Sequence, residues 1–187
     1  MKKKIIEQSI LLFEKKGFSQ TSIQDIVDAL KVTKGTFYYY FSSKEELLMD
    51  IHLQYIDDLL ERQTKILEAA SLSCREKLAG IVHLLISDIK SEGPNARVFF
   101  REIRHLNGEN VQVIKEKRAE FRYRIQHLVE KGMEEGEFKP NLRADLITFG
   151  ILGVTNWSYQ WYKPDGKVTD EELSGIFTDM ILNGIAV

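Results

Sequence analysis

The sequence predicts an all-α protein, and three observations carry that prediction. Apolar residues recur every three to four positions through most of the 187 residues, which is the period of an amphipathic helix. No long stretch alternates between apolar and polar residues as a half-buried strand does. The prolines are Pro94, Pro140 and Pro164, and each lies in a short polar segment between apolar stretches. We therefore expect helices joined by short turns.

Nine helices are predicted from this pattern and from the residues at their ends. Gly17 stops the first helix, Thr21 or Ser22 caps the second and Thr33 caps the third, because short hydroxyl side chains bind the free amides of a first turn. Ser42 or Ser43 caps the fourth helix. The predicted helices cover about 3–16, 23–30, 34–41, 44–69, 73–91, 94–106, 109–136, 142–162 and 169–186.

Composition places the chain among soluble globular proteins, because 43% of its residues are hydrophobic and 29% are charged. A single cysteine, Cys74, excludes an intramolecular disulfide and fits a reducing cytosol. It lies near a helix start, a position that can lower the pKa of a thiol. The apolar run 10–13 is too short for a signal peptide, and no segment has the roughly 20 apolar residues of a membrane span. We expect a cytosolic protein without a membrane partner.

Charge is distributed unevenly along the chain. Residues 1–44 hold eight lysines against four acidic residues, a net charge of +4, whereas the whole chain carries −2. Residues 45–187 therefore carry −6. A basic end on an acidic body indicates a module that faces nucleic acid, although a lysine-rich solvated segment explains the charge alone equally well.

The second and third predicted helices form a helix-turn-helix. Both are short, and only residues 31–33 separate them. In this motif the second helix lies in the major groove of DNA. The prediction explains the run TKGTFYYYF at 33–41, which would be costly on an ordinary protein surface.

Phenylalanines anchor that run and tyrosines face outward. Phe37 and Phe41 are four residues apart, so they share the inward face of the third helix. The intervening tyrosines turn largely outward with Lys34 and Thr36, and their hydroxyls and ammonium groups suit phosphates and base edges. The alternative, that the tyrosines only cover a core, is disfavoured because three consecutive helical residues cannot all face inward.

The stretch from Gly17 to Leu48 resembles the DNA-binding module of TetR-type bacterial transcriptional repressors. The matching features are Gly17-Phe18, Thr21-Ser22-Ile23, Ile26, Ala29, Val32, Lys34-Gly35-Thr36-Phe37-Tyr38, Phe41 and Lys44. The resemblance implies a helix-turn-helix DNA-binding domain at 1–46. It also implies a helical ligand-binding and dimerisation domain at 47–187, and regulation by a small-molecule effector.

The resemblance further implies which residues touch a double-stranded, palindromic DNA operator. They are Thr21, Thr33, Lys34, Thr36, Tyr38, Tyr39, Tyr40 and Lys44. Phosphate contacts are expected from Thr21, Tyr40 and Lys44. Base-edge contacts are expected from Lys34, Thr36 and Tyr39.

The last two predicted helices are expected to form a homodimer interface. Segment 142–162 is apolar nearly all round, as a helix buried on several sides must be, and Gly150 and Gly153 allow close approach of another helix. The final helix carries an apolar face that includes Ile176 and Met180. We predict that these helices pair with their copies in a two-fold, four-helix interface.

A weaker resemblance concerns the effector. The pattern Trp-x-x-x-Trp-Tyr-x-Pro-x-Gly at 157–166 and the stretch ARVFFRE at 96–102 are similar to TetR-type regulators that sense acyl-coenzyme A thioesters in fatty-acid, steroid or phenylacetate breakdown. Aromatic side chains suit an acyl chain and guanidinium groups suit phosphates. The expected effector-site residues are Phe99, Phe100, Arg101, Arg104, Phe121, Trp157 and Trp161. Core aromatics and solvated arginines are the alternative explanation for each of them.

Catalysis, metal binding and a cofactor are not expected. The sequence has no Gly-rich phosphate loop, no G-x-S-x-G and no H-E-x-x-H, and its four histidines never pair at i, i+4. Two alternatives to a ligand-responsive repressor stay open at this point. One is a constitutive DNA-binding protein without a ligand, and the other is a helical acyl-CoA-binding or enzymatic protein with a vestigial N-terminal module. Activation in place of repression is also open.

Overall fold

A computed structural model describes residues 1–185, which hold nine α-helices and no β-strand. A single 3₁₀ turn, Ile103–His105, follows the sixth helix. The helices are α1 (Lys2–Lys16), α2 (Ile23–Leu30), α3 (Lys34–Tyr40), α4 (Lys44–Leu67), α5 (Cys74–Ser91), α6 (Gly93–Glu102), α7 (Gly108–Glu134), α8 (Ala144–Trp161) and α9 (Asp170–Ile185). Within these residues, no helix combines the length and apolarity needed to cross a lipid bilayer.

The all-α prediction is confirmed, with local differences at the helix ends. Segment 94–106 is predicted as one helix, but α6 ends at Glu102 and continues only as the 3₁₀ turn. The fourth helix is two residues shorter than predicted, and the eighth is three residues shorter. The predicted end of the last helix, residue 186, lies outside the described residues.

The chain forms two compact units, each with its own core. The first comprises residues 1–57 and 94–116, so α6 and the start of α7 join the N-terminal helices. The second comprises residues 58–93 and the chain from Lys117 onward. The long helices α4 and α7 each supply residues to both units.

In the first unit, α2 packs against α1 and α3. The helices bury apolar side chains that recur at helical spacing, including Phe13 of α1, Ile26 of α2 and Phe37 of α3, each fully buried. Arg101 of α6 donates to the carbonyls of Phe13 and Glu14, which satisfies acceptors that the end of α1 leaves free. The N-terminal helices are thereby tied to α6.

In the second unit, α5 packs against both α8 and α9. The buried face of α5 includes Leu78, Ile81 and Ile86. The α7–α8 turn holds the end of α9, because the Lys139 amide donates to Ile185 O at 2.8 Å and the Lys139 ammonium donates to Gly184 O at 3.0 Å. These bonds satisfy terminal carbonyls of α9.

Candidate nucleic-acid interface and effector site

Helix α3 is only seven residues long, and its two ends fix its position. At the N-terminus, the Thr33 hydroxyl accepts a hydrogen bond from the Thr36 amide at 3.3 Å, as an N-cap does. At the C-terminus, Phe41 has extended backbone, and its amide donates to Phe37 O. Phe37 is fully buried and Phe41 is 2% exposed, so the predicted inward face is confirmed. A helix this short is held by those rings, because isolated helices of two turns are not stable.

The opposite side of α3 is exposed and polar. Tyr39 is 81% exposed and Tyr38 is 52% exposed. Tyr40 is half-buried, and its ring packs edge-on against that of Tyr39 at a centroid distance of 4.8 Å. Lys34 is exposed on the first turn. We call the outward side chains of Thr33, Lys34, Thr36 and Tyr38–Tyr40 the α3 surface.

Helix α2 is fixed rigidly beside α3. Ser22 and Asp25 form a capping box, in which each side chain binds the other residue's backbone amide. Hydrogen bonds from the Ser22 hydroxyl and amide, and then from Lys16, hold the pKa of Asp25 well below its usual range. Lys31 ends α2 in the left-handed region, with φ of 55°, and this turns the chain into α3.

Two of the predicted DNA contacts have their polar atoms engaged inside the first unit. Thr21 is fully buried, and its hydroxyl donates to Gly17 O at 2.8 Å. The Lys44 ammonium donates to Phe18 O at 2.7 Å and Thr21 O at 2.6 Å, and it lies 4.3 Å from the centroid of the Phe18 ring. Burial lowers the pKa of Lys44. In this geometry both residues position the turn before α2, and a phosphate contact by the Thr21 hydroxyl does not fit it.

Four of the predicted effector residues lie in the first unit. Phe99 is 2% exposed, and its ring packs against those of His52 and Tyr55 at centroid distances of 5.3 and 4.8 Å. Phe100 is half-buried beside it. Arg101 binds the end of α1, as described above. The Arg104 guanidinium lies 3.4 Å from the His105 ring.

The other three predicted effector residues lie in the second unit. Phe121 is buried, whereas Trp157 and Trp161 are 67% and 49% exposed on α8. The seven residues are therefore divided between the two units. An open surface groove of about 400 Å³ in the second unit is lined by α5 and α9 residues such as His83 and Ser174, and none of the seven lines it.

Sequence reasoning missed a buried polar cluster in the second unit. Asp88 of α5 is fully buried, and its carboxylate accepts from Arg62 at 2.7 Å and from the Tyr159 hydroxyl at 3.1 Å. A buried carboxylate needs such partners because its desolvation is costly. The signal in the sequence was an aspartate between Ile86 and Ile89 on an otherwise apolar face.

Cys74 differs from its sequence-based expectation. It is buried, and its thiol donates to a Glu135 carboxylate oxygen at 3.3 Å. Burial and the neighbouring Glu135 raise its pKa to about 11, although it lies at a helix start. The Glu137 carboxylate accepts from the amides of Cys74 and Arg75, which are the free donors of the first turn of α5. The position at a helix start therefore does not lower the pKa of this thiol, and Glu137 acts as a helix cap.

Comparison with known proteins identifies the family. The family model described as "Bacterial regulatory proteins, tetR family" matches residues 5–51. The model described as "Tetracyclin repressor-like, C-terminal domain" matches residues 71–185, which is more than half of the chain. The chain belongs to the TetR family.

Individual relatives cover nearly the whole of this TetR-family protein. It is 28% identical over 184 residues to the HTH-type transcriptional repressor KstR2 of Rhodococcus jostii, covering 97% of this chain and 89% of that protein. It is 25% identical over 182 residues to the fatty acid metabolism regulator protein of Bacillus subtilis, with coverage of 97% and 93%. A solved complex of AibR with isovaleryl coenzyme A and operator DNA has a TM-score of 0.85 at 26% identity, and the match covers 96% of each chain.

The family assignment agrees with the geometry of α2 and α3. Residues 5–51 of the family match include both helices and the whole α3 surface. The matched relatives are transcriptional regulators. This TetR-family protein is a DNA-binding transcriptional regulator.

Proposed function

We propose that the protein is a homodimeric repressor that binds a palindromic operator through α3 and is released by an acyl-CoA thioester. The observation that carries the proposal is the α3 surface, a polar and aromatic face on a helix anchored from behind by two buried phenylalanines. A helix in this position of a helix-turn-helix enters the major groove. The Tyr39 side chain is 81% exposed, so it is not part of the core of the chain.

The chemistry of the α3 surface suits DNA. Lys34 and Thr36 lie on the first turn, where side chains of a recognition helix reach base edges, and Tyr39 lies one turn further on. The hydroxyls of Thr33, Tyr38 and Tyr40 are phosphate donors. We assign Thr21 and Lys44 to positioning α2, since their polar atoms already bind backbone carbonyls.

The exposed faces of α8 and α9 support a dimer. Leu146, Phe149 and Trp157 of α8 are each more than half exposed in the single chain, as are Ile176 and Met180 of α9. Exposed apolar side chains on two helices that contact each other are typical of an interface between subunits. A two-fold dimer would present two α3 helices to successive major grooves about 34–36 Å apart, which is why we propose a palindromic operator.

The effector class rests on similarity and on compatible chemistry. The relatives include a fatty acid metabolism regulator and a protein solved with isovaleryl coenzyme A. Phe121 in the second unit and Phe99 and Phe100 in the first are aromatic side chains whose chemistry suits an acyl group, while Trp157 and Trp161 lie on the proposed dimer face. An effector that binds better to the form with wrongly spaced α3 helices lowers operator affinity by that difference in binding free energy.

The DNA half of the proposal is tested with an operator fragment selected from a random library by the wild-type protein. Lys34→Ala and Tyr39→Phe should each weaken binding, measured by fluorescence anisotropy at several salt concentrations. If Lys34 contacts a base, its loss should cost about 1–3 kcal/mol of binding free energy at one operator position. If it contacts a phosphate, the slope of the logarithm of the binding constant against the logarithm of salt concentration should fall in magnitude by about one. Lys65→Ala, which removes a 70% exposed lysine of α4, is the matched control. Unchanged binding by both variants would refute the assignment of α3.

The effector half is tested on the wild-type complex with the same fragment. Acyl-CoAs of two to sixteen acyl carbons are titrated, with free coenzyme A as the control. Release of the DNA by one chain-length class is the expected result. No release by any acyl-CoA would leave a DNA-binding regulator whose effector, if it has one, belongs to another class.

A further inference from the structure

Gln63 lies inside the second unit with its amide orientation fixed. It is fully buried on α4, and its Nε2 donates to Phe121 O of α7 at 2.9 Å. A carbonyl oxygen can only accept, so the NH₂ end of the amide must face Phe121 and the Oε1 end must point elsewhere. The assignment of the two amide atoms therefore follows from the bond to α7.

The Oε1 atom of Gln63 is buried and has no donor among residues 1–185. The buried side chains of Thr148, Thr155 and Asp88 in this unit all have partners. The hydroxyls of Thr148 and Thr155 bind the carbonyl four residues earlier in α8, and Asp88 has two donors. A buried carbonyl oxygen without a donor destabilises a fold, so its presence at an interior position indicates a partner from outside the chain.

The location of Gln63 connects it with the proposed effector. Its partner Phe121 is one of the residues expected to bind the acyl group, and the two are joined directly. The Arg124 guanidinium donates to the Thr64 hydroxyl at 2.7 Å. Two side-chain hydrogen bonds therefore join the same stretch of α4 to α7, next to the Gln63 amide. The acceptor thus lies on a rigid pair of helices.

We propose that Gln63 Oε1 accepts a hydrogen bond from a neutral N–H or O–H group of the effector and so determines effector specificity. This inference rests on the proposed function. The chemistry excludes the phosphates of coenzyme A from this position, because an acceptor repels an acceptor. An acyl-CoA has two sources of a suitable donor, an amide of its pantetheine arm or a hydroxyl on its acyl chain.

The test compares wild type with Gln63→Met, which keeps the length of the side chain and removes the Oε1 acceptor together with the Nε2 donor to Phe121 O. Hexanoyl-CoA and 3-hydroxyhexanoyl-CoA are titrated against the operator complex of each protein. If the acyl hydroxyl is the donor, the variant responds roughly tenfold more weakly to the hydroxylated compound alone. If a pantetheine amide is the donor, both responses weaken by a similar factor. Gln112→Met, at an exposed α7 position, is the control and should respond as wild type does.

A second measurement tests the premise without an effector. A high-resolution crystal structure of the effector-free protein should show neither an ordered water nor a side-chain donor within hydrogen-bond distance of Gln63 Oε1. An ordered internal water or another donor on Oε1 in that structure would overturn the inference. Equal effector responses of wild type and Gln63→Met would also overturn it, with the proposed function intact. If wild type itself responds to neither compound nor to any acyl-CoA, the proposed effector class fails and this inference fails with it.

Discussion

Gly132→Ala should destabilise the protein because of one close approach. Gly132 lies in α7, and a Cβ atom added to it would lie 2.2 Å from Cδ2 and 2.3 Å from Cε2 of Phe138. Contacts this short force a shift of the ring. Phe138 cannot move easily, since it is fully buried and its amide donates to Gly132 O at 2.9 Å. The next residue, Lys139, holds the end of α9, so a shift of the turn also disturbs that helix.

Two opposing effects determine how much Gly132→Ala changes the free energy of unfolding. Overpacking a core costs about 1–3 kcal/mol, and two ring carbons in severe contact place this site at the upper end. Replacing glycine by alanine within a helix recovers up to about 1 kcal/mol. We therefore expect Gly132→Ala to lower the free energy of unfolding by about 2 kcal/mol.

The assay is guanidinium unfolding at one fixed protein concentration, because dimerisation makes stability depend on concentration. The same substitution is then made in a Phe138→Ala background, which alone costs about 3–5 kcal/mol. Without the ring, Gly132→Ala should become neutral or stabilising by up to about 1 kcal/mol. The reversal in sign is the signature of a direct clash. Equal destabilisation in both backgrounds would show that contact with the Phe138 ring is not the cause.

Three further predictions concern pH, the thiol and the dimer. The pKa of Asp25 is lower in the folded than in the unfolded protein, so its contribution to stability exists above the unfolded value of about 4 and is lost as pH falls. Asp25→Asn should therefore unfold more easily than wild type at pH 7, and an undiminished difference at pH 2 in acid-unfolding curves would contradict this. Cys74, with a pKa of about 11, should react with an aromatic disulfide at pH 8 far more slowly than free cysteine until guanidinium unfolds the protein, and fast reaction of the native state would contradict its burial. Phe149→Glu should yield monomers in analytical ultracentrifugation and weaken operator binding, whereas Leu11→Glu, at a similarly exposed position of α1, should remain dimeric; a dimeric Phe149→Glu would remove α8 from the interface.

The helices and the recognition motif could be predicted because their signals are local. The capping of α2 by Ser22 and of α3 by Thr33, and the stop of α1 at Gly17, depend on residues within a few positions of each other. The inward turn of Phe37 and Phe41 follows from helical spacing alone. The break after Glu102 was missed because the apolar pattern continues through the 3₁₀ turn.

The roles of individual polar side chains could not be predicted in the same way. Arg101 resembles a phosphate ligand in the sequence, but it binds carbonyls of α1 that are 87 and 88 residues away. Thr21 and Lys44 match a DNA-binding pattern, and in the structure their polar atoms bind backbone within the first unit. Gln63 gives no signal in the sequence, since its hydrogen-bond partner, the Phe121 carbonyl, is 58 residues away.

The all-α class, the position of the helix-turn-helix and the outward tyrosines of α3 could be predicted from the sequence, because capping and periodicity act over a few residues. Tertiary packing, in contrast, sets which aromatic side chains form the core and which remain exposed. Phe99 is buried against α4 and Trp157 is left on the open face of α8, although both looked equally suited to an acyl group. Burial depends on the helices that meet at a position, and those helices are distant from one another in the chain.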